Sequence, residues 1–222
     1  MKVKKLKTIV MTLVAVLILV AAPQKSFAQT FTKKQEKQLA KQNEKMYKTK
    51  IKEYQEEGWK LAGGSRTLEV ALLEHYKKLS DDKNKEFIGQ VSQCKSINVC
   101  RQSALNNAQN SYASLASADI KGRASSMIRA DAETPETEID KMIAAYERTI
   151  KADIGGALVE SYSIVKENGN GTKSFQTIFI INEEEAASAR MRAMEKSLRE
   201  TKISVKEAEE ISRFVQEGFN IE

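Results

Sequence analysis

ALVESYSIVKENGNGTKSFQTIFII, residues 157–181, decides the fold. Two runs rich in β-branched and aromatic residues flank ENGNGT, a turn of Asn and Gly, and that pattern predicts a β-hairpin. Alternation places Tyr162 and Ile164 on one face of the first strand. It places Phe175, Thr177, Phe179 and Ile181 on one face of the second. Asn170-Gly-Thr172 also matches a glycosylation sequon, but at a hairpin tip Asn and Gly are explained by their tolerance of positive φ.

Upstream of the hairpin, Gly155-Gly156 closes a helical pattern that Thr137 and Glu138 open and Ile139, Met142, Ile143, Tyr146 and Ile150 carry. Before the break at Glu133-Thr-Pro-Glu136 lies a helix built on Ala104, Ala108, Tyr112, Leu115, Ala116 and Ile120. Its small residues would let a backbone approach a sheet or another helix closely. Glu86–Ser92 reads as an extended run and Trp59–Ala62 as a short strand that Gly63-Gly64 ends. A helix marked by Leu68, Leu72 and Leu79 follows, with Ser65 or Thr67 as its cap. His75 shares or borders its apolar side. Downstream, Glu183–Glu200 and Val205–Glu217 read as two closing helices, the first acidic at its start and basic later, as the helix dipole favours. Strands, a long helical insertion, a hairpin and closing helices predict an α+β fold with a mainly antiparallel small sheet packed on several helices.

Residues 29–57 are rich in Lys, Glu and Gln, with Leu39, Ala40, Met46, Tyr47, Ile51 and Tyr54 at helical spacing. They predict a long charged amphipathic helix ahead of a single domain at 58–222. A solvated helix laying a narrow apolar stripe on the domain is the simpler reading. A surface-binding arm for an anionic envelope polymer or lipid headgroups is the functional one. The chain opens MKVKKLK, continues with the apolar run Ile9–Ala22 and then small residues, which is the pattern of a secretory signal peptide over residues 1–28. That run would rise only about 21 Å as a helix, short of a hydrocarbon core of about 30 Å, so no stable membrane span is expected after cleavage. Cleavage after Ala28 would leave Gln29 first, in the periplasm or outside the cell.

Removing the signal takes five lysines and no acid, and leaves 31 basic and 30 acidic residues. The basic excess therefore belongs mostly to the export signal, and no nucleic-acid partner is expected. Cys94 and Cys100 are close in sequence in an exported chain. A disulfide closing that loop would contribute about 2 kcal/mol; two separate thiols, one buried, are the alternative. The spacing is not that of a redox Cys-x-x-Cys pair, and no histidine lies near enough for a two-Cys metal site.

No catalytic signature emerges. Ser-x-x-Lys occurs at Ser80, Ser92 and Ser163 without its partner motifs, and the nucleophile elbow, the zinc-protease helix and the phosphate-binding glycine loops are missing. A Ser/His/Asp triad could draw only on His75, for which Glu74 is a poor partner because adjacent helical residues diverge. Glu183–Glu185 diverge for the same reason and make a weak cation site. Neither a cofactor nor a metal is expected. Backbone N–H groups at the helix start Gly64, Ser65, Arg66 and Thr67 could hold an anion.

EGWKLAGG followed by LEVALLEHY, the alanine-rich ALNNAQNSYASLASADI and the hairpin ending in FII resemble uncharacterised secreted proteins of Gram-negative Bacteroidota. More distantly they resemble the twenty-kilodalton envelope lipoprotein-like family. The resemblance covers Gly58 to Asn182 and implies an envelope location without an established enzyme activity. The chain lacks that family's acylated cysteine. The expected function is that of an exported, non-enzymatic envelope protein acting by binding or assembly, with an envelope protein or polymer as partner. The alternatives are a small envelope hydrolase using paired carboxylates and a periplasmic small-ligand carrier.

Overall fold

A computed structural model describes residues 33–131 and 136–217. The expected signal segment and its cleavage point lie outside them, as do Glu133–Pro135 of the expected break at Glu133–Glu136. The chain divides into two compact units, Met1–Leu39 and Ala40–Glu222, and the sheet with its packed helices belongs to the second. Among the described residues no helix is long and apolar enough to cross a membrane.

In order, the elements are α1 (Lys33–Glu56), β1 (Lys60–Leu61), α2 (Leu68–Leu79), β2 (Asn84–Cys94), α3 (Ile97–Asp131) and α4 (Glu136–Asp153). A 3-10 turn at Ile154–Gly156 leads to β3 (Leu158–Glu167), β4 (Lys173–Asn182), α5 (Glu183–Arg199) and α6 (Val205–Glu217). The strands form one antiparallel sheet in the order β1-β3-β4-β2, so the fold is α+β as expected. The hairpin turn is held by Asn168 and Thr172: the Asn168 N–H donates to the Thr172 carbonyl at 2.8 Å. Asn170 Oδ1 accepts from the Thr172 N–H and hydroxyl.

Alternation in β4 divides the core. Phe179 and Ile181 face the helical layer of α3 to α6, while Ile178 faces α2 and the end of α1. In β3, Leu158 joins the first cluster and Tyr162 and Ile164 the second. Leu158 and Tyr162, four apart, would share a face of a regular strand. One extra residue, Ser161, breaks the register between Glu160↔Phe179 and Tyr162↔Ile178, and this bulge turns Tyr162 to the other side. Ile51 and Tyr54 of α1 are buried in that second cluster with Leu72 and Tyr47 packs beside them, so this part of the expected apolar stripe lies on the domain, whereas Met46 is exposed.

On the other face α3 runs across β2, with Ala104 and Ala108 fully buried. Cys94 and Cys100 form a disulfide that ties the end of β2 to the first turn of α3. Between the helices, Tyr112 of α3 accepts a 2.8 Å hydrogen bond from Arg190 of α5, whose guanidinium also binds Glu183. Tyr146 of α4 is fully buried, and its hydroxyl has no hydrogen-bond partner among the described residues. A buried polar group left unbonded costs about 1–3 kcal/mol, so Tyr146→Phe is expected to hold or raise stability by about 1 kcal/mol in urea melts. Tyr112→Phe, which strips a partner from Arg190, should lower it.

Candidate ligand cleft and buried histidine network

Strand β1 is two residues long because the chain turns away at once. Leu61 pairs with Ile164, the Ala62 N–H donates to the Ser163 carbonyl at 2.8 Å, and then Gly63 and Gly64 take φ of 90° and 93°. Two successive residues at positive φ strongly favour glycine. The turn delivers Arg66 to the β3 bulge. There its Nη2 donates to the Ser161 carbonyl at 2.5 Å and its Nη1 pairs with Glu74. Thr67, not Ser65, caps α2 by accepting the Val70 N–H at 3.3 Å.

From the opposite side, α3 supplies Arg101, one residue beyond Cys100. Its Nη2 donates to the Ala62 carbonyl at 3.3 Å, and its Nε lies 3.3 Å from Glu160 Oε2. Glu160 in turn accepts a 2.6 Å hydrogen bond from the Ser163 hydroxyl, which also meets Thr177. Between the glycine turn and the start of α3 lies a cleft of about 450 Å³, lined by Gly63, Gly64, Arg66, Arg101, Glu160 and apolar neighbours including Ile97 and Val165. The volume falls within the usual range for small-ligand sites, about 300–1,000 Å³. Two guanidinium groups and one carboxylate line it, and each guanidinium has a carboxylate partner within the protein, Glu74 for Arg66 and Glu160 for Arg101.

Of the residues expected to hold an anion, Gly64 and Arg66 line this cleft; Ser65 and Thr67 do not. Arg101 and Glu160 were not visible as partners in the sequence. They lie far apart in the chain and meet only through strand pairing and the disulfide-anchored helix. Glu183–Glu185 do not converge: Glu183 binds Arg190 and Glu184 binds Lys83. Among the described residues no group of His, Cys, Asp and Glu is arranged to hold a metal ion.

No protein-family model, curated protein or solved structure matches the chain. Its own geometry carries the functional reading.

Beneath α2 lies a second constellation. His75, fully buried, places Nδ1 3.1 Å from the Ser161 hydroxyl and Nε2 2.6 Å from Glu86 Oε2. In the neutral ring these partners assign the proton to Nε2, donating to Glu86, while Nδ1 accepts from Ser161. Tyr162 and Tyr76 stand edge-on to the imidazole, and Tyr162 Oη lies 3.2 Å from Tyr54 Oη. Burial, then the neighbouring Tyr54, push the Tyr162 phenol well above the ordinary tyrosine range. The carboxylate partner of His75 is thus Glu86, on a neighbouring element, and Glu74 serves Arg66 instead. Serine, histidine and glutamate in sequence resemble an activated nucleophile. Ser161 is nearly buried, however, and neither it nor His75 lines the cleft. A nucleophile must reach its substrate, so this network acts as a brace that joins α2 to the β3 bulge and to β2. Through the Ser161 carbonyl the brace also seats Arg66.

Proposed function

We propose that this is an exported, non-enzymatic envelope protein that works by binding, and that its recognition site is the arginine cleft, which takes the carboxylate of a partner molecule. The observation that carries this reading is the pair Arg66 and Arg101. Each guanidinium is seated on a backbone carbonyl, through Ser161 and Ala62, while its side chain remains about two-fifths exposed. A seated guanidinium loses little rotational freedom on binding, and an incoming carboxylate would share it with the carboxylate that already pairs with it, Glu74 at Arg66 and Glu160 at Arg101. The signal-like N-terminus and the disulfide support export. The cleft contains one carboxylate, Glu160, whereas glycoside hydrolysis by paired carboxylates needs two facing groups.

Titration calorimetry with acetate, succinate and citrate, and with their neutral amides, tests the reading. Carboxylates should bind and amides should not. Arg66→Gln and Arg101→Gln should each weaken binding about tenfold, the equivalent of about 1.4 kcal/mol for one charge-assisted contact. Affinity indifferent to either substitution, or the same for acid and amide, would remove the proposal.

A further inference from the structure

Helix α1 has a second face that the cleft does not use. Lys41, Lys45, Lys48 and Lys52 recur at spacings of four, three and four residues, so they stand in one row along the helix, and all four are exposed. The row is about 16 Å long at 1.5 Å per residue. On another side of the same helix Ile51 and Tyr54 are buried against the domain, with Tyr47 packed beside them. Lysines three and four apart repel one another, each pair at a cost of a few tenths of a kcal/mol. A face selected for solvation alone would interleave acids, as this helix does off the row, where Lys50 binds Glu53 at 3.0 Å. Along the row one acid intervenes at its margin, Glu44, paired with Lys48 at 2.7 Å.

We infer that this lysine row is a docking surface for a linear acidic polysaccharide of the envelope. Its charges are point-like ammonium groups at near-regular intervals, which suits a chain with an anion on successive repeats. An amphipathic helix that binds a bilayer inserts its apolar face, but here Ile51 and Tyr54 of that face are buried in the protein, which leaves Met46 as an exposed apolar side chain beside the row. Proteins that hold single-stranded nucleic acid add stacking aromatics and arginines to their charge, and the row contains neither. A row of fixed cations binds a polyanion by releasing its condensed counterions, so affinity should fall steeply with salt. This surface is separate from the arginine cleft and stands or falls independently of it.

The test is fluorescence anisotropy with labelled alginate fragments, repeated with single-stranded DNA and with vesicles of anionic and zwitterionic phospholipid. Alginate should bind at low salt and weaken roughly fiftyfold between 50 and 200 mM, on the slope for four neutralised charges. Replacing Lys41, Lys45, Lys48 and Lys52 together by Gln should weaken binding roughly 100-fold. The same change at the exposed lysines Lys77, Lys78, Lys85 and Lys95 should matter far less. Circular dichroism of both variants controls for folding. No binding to alginate at low salt, equal losses in the two variants, or tighter binding to vesicles or DNA would each overturn the inference.

Discussion

Gly89→Ala is expected to cost about 3 kcal/mol or more, the upper end of what overpacking a well-filled core produces. Two effects compete at this position, and their signs are opposite. Glycine inside a strand is entropically unfavourable by about 0.5–1 kcal/mol relative to alanine, so a free site would be stabilised by the change. Gly89 sits in the middle of β2, opposite Thr177, and its missing side chain is the space through which α3 crosses the sheet. A β-carbon there would stand 2.0 Å from the Ala104 carbonyl oxygen, 2.8 Å from its carbon and 3.1 Å from the Ala108 β-carbon. The first two atoms are backbone of a long helix and cannot step aside as a side chain can. The contact therefore outweighs the entropy, and α3 must lift from β2 or the strand must bend. Gly155 supplies the control. A β-carbon there meets Gln109 Nε2 at 2.2 Å, the far end of a flexible side chain, so Gly155→Ala should cost little. Urea melts of both variants decide the matter; a Gly89→Ala protein within about 1 kcal/mol of the parent would show that the helix does not ride on this glycine.

That contact marks the boundary of what could be read from residues alone. The alanines of α3 announce a close approach, because repeated small side chains on one helical face have that use, but nothing local says which backbone they approach. The hairpin was legible because strand alternation and turn chemistry are both local. Alternation groups Tyr162 with Ile164 in one strand and Phe179 with Ile181 in the other, but that the two groups face opposite sides of the sheet is set by the pairing. The bulge at Ser161 was not legible: its extra residue is defined only against β4. The site divides the same way. Gly64 and Arg66 stand out beside a helix start, whereas Arg101 and Glu160 become neighbours only after β1 has paired with β3 and the disulfide has placed the first turn of α3. Glu86 is a similar case, eleven residues from His75 and on a different element. Local geometry carries backbone chemistry well, and partners across the sheet need the pairing first.

Glu183→Gln should cost about 3 kcal/mol, a large effect for a change that preserves side-chain shape. Arg190 is fully buried in the helical layer, and its charge is held there by Glu183 and by the Tyr112 hydroxyl. Burial pulls the Arg190 pKa down, but the bonds to Glu183 and Tyr112 together lift it above the ordinary arginine value, so the group stays ionised. Arginine cannot shed its proton to escape a low-dielectric site, so removing the bound carboxylate charge leaves a buried cation poorly compensated. Breaking such a pair costs about 3–5 kcal/mol; the low end applies because a third of the Glu183 side chain remains in water. Glu184, one residue on, binds Lys83 with both partners mostly exposed, and Glu184→Gln should change stability by less than about 1 kcal/mol. A further variant separates the worth of the pair from the penalty of breaking it. Arg190→Met combined with Tyr112→Phe and Glu183→Gln removes the charge together with the Glu183 carboxylate and the Tyr112 hydroxyl, and should recover most of the loss, since apolar replacement of a buried ionic cluster is often neutral or better. Recovery would identify the cost of Glu183→Gln as that of an orphaned cation. A triple variant as unstable as the single one would instead assign the loss to packing around Arg190, whose long side chain fills the space between α3 and α5.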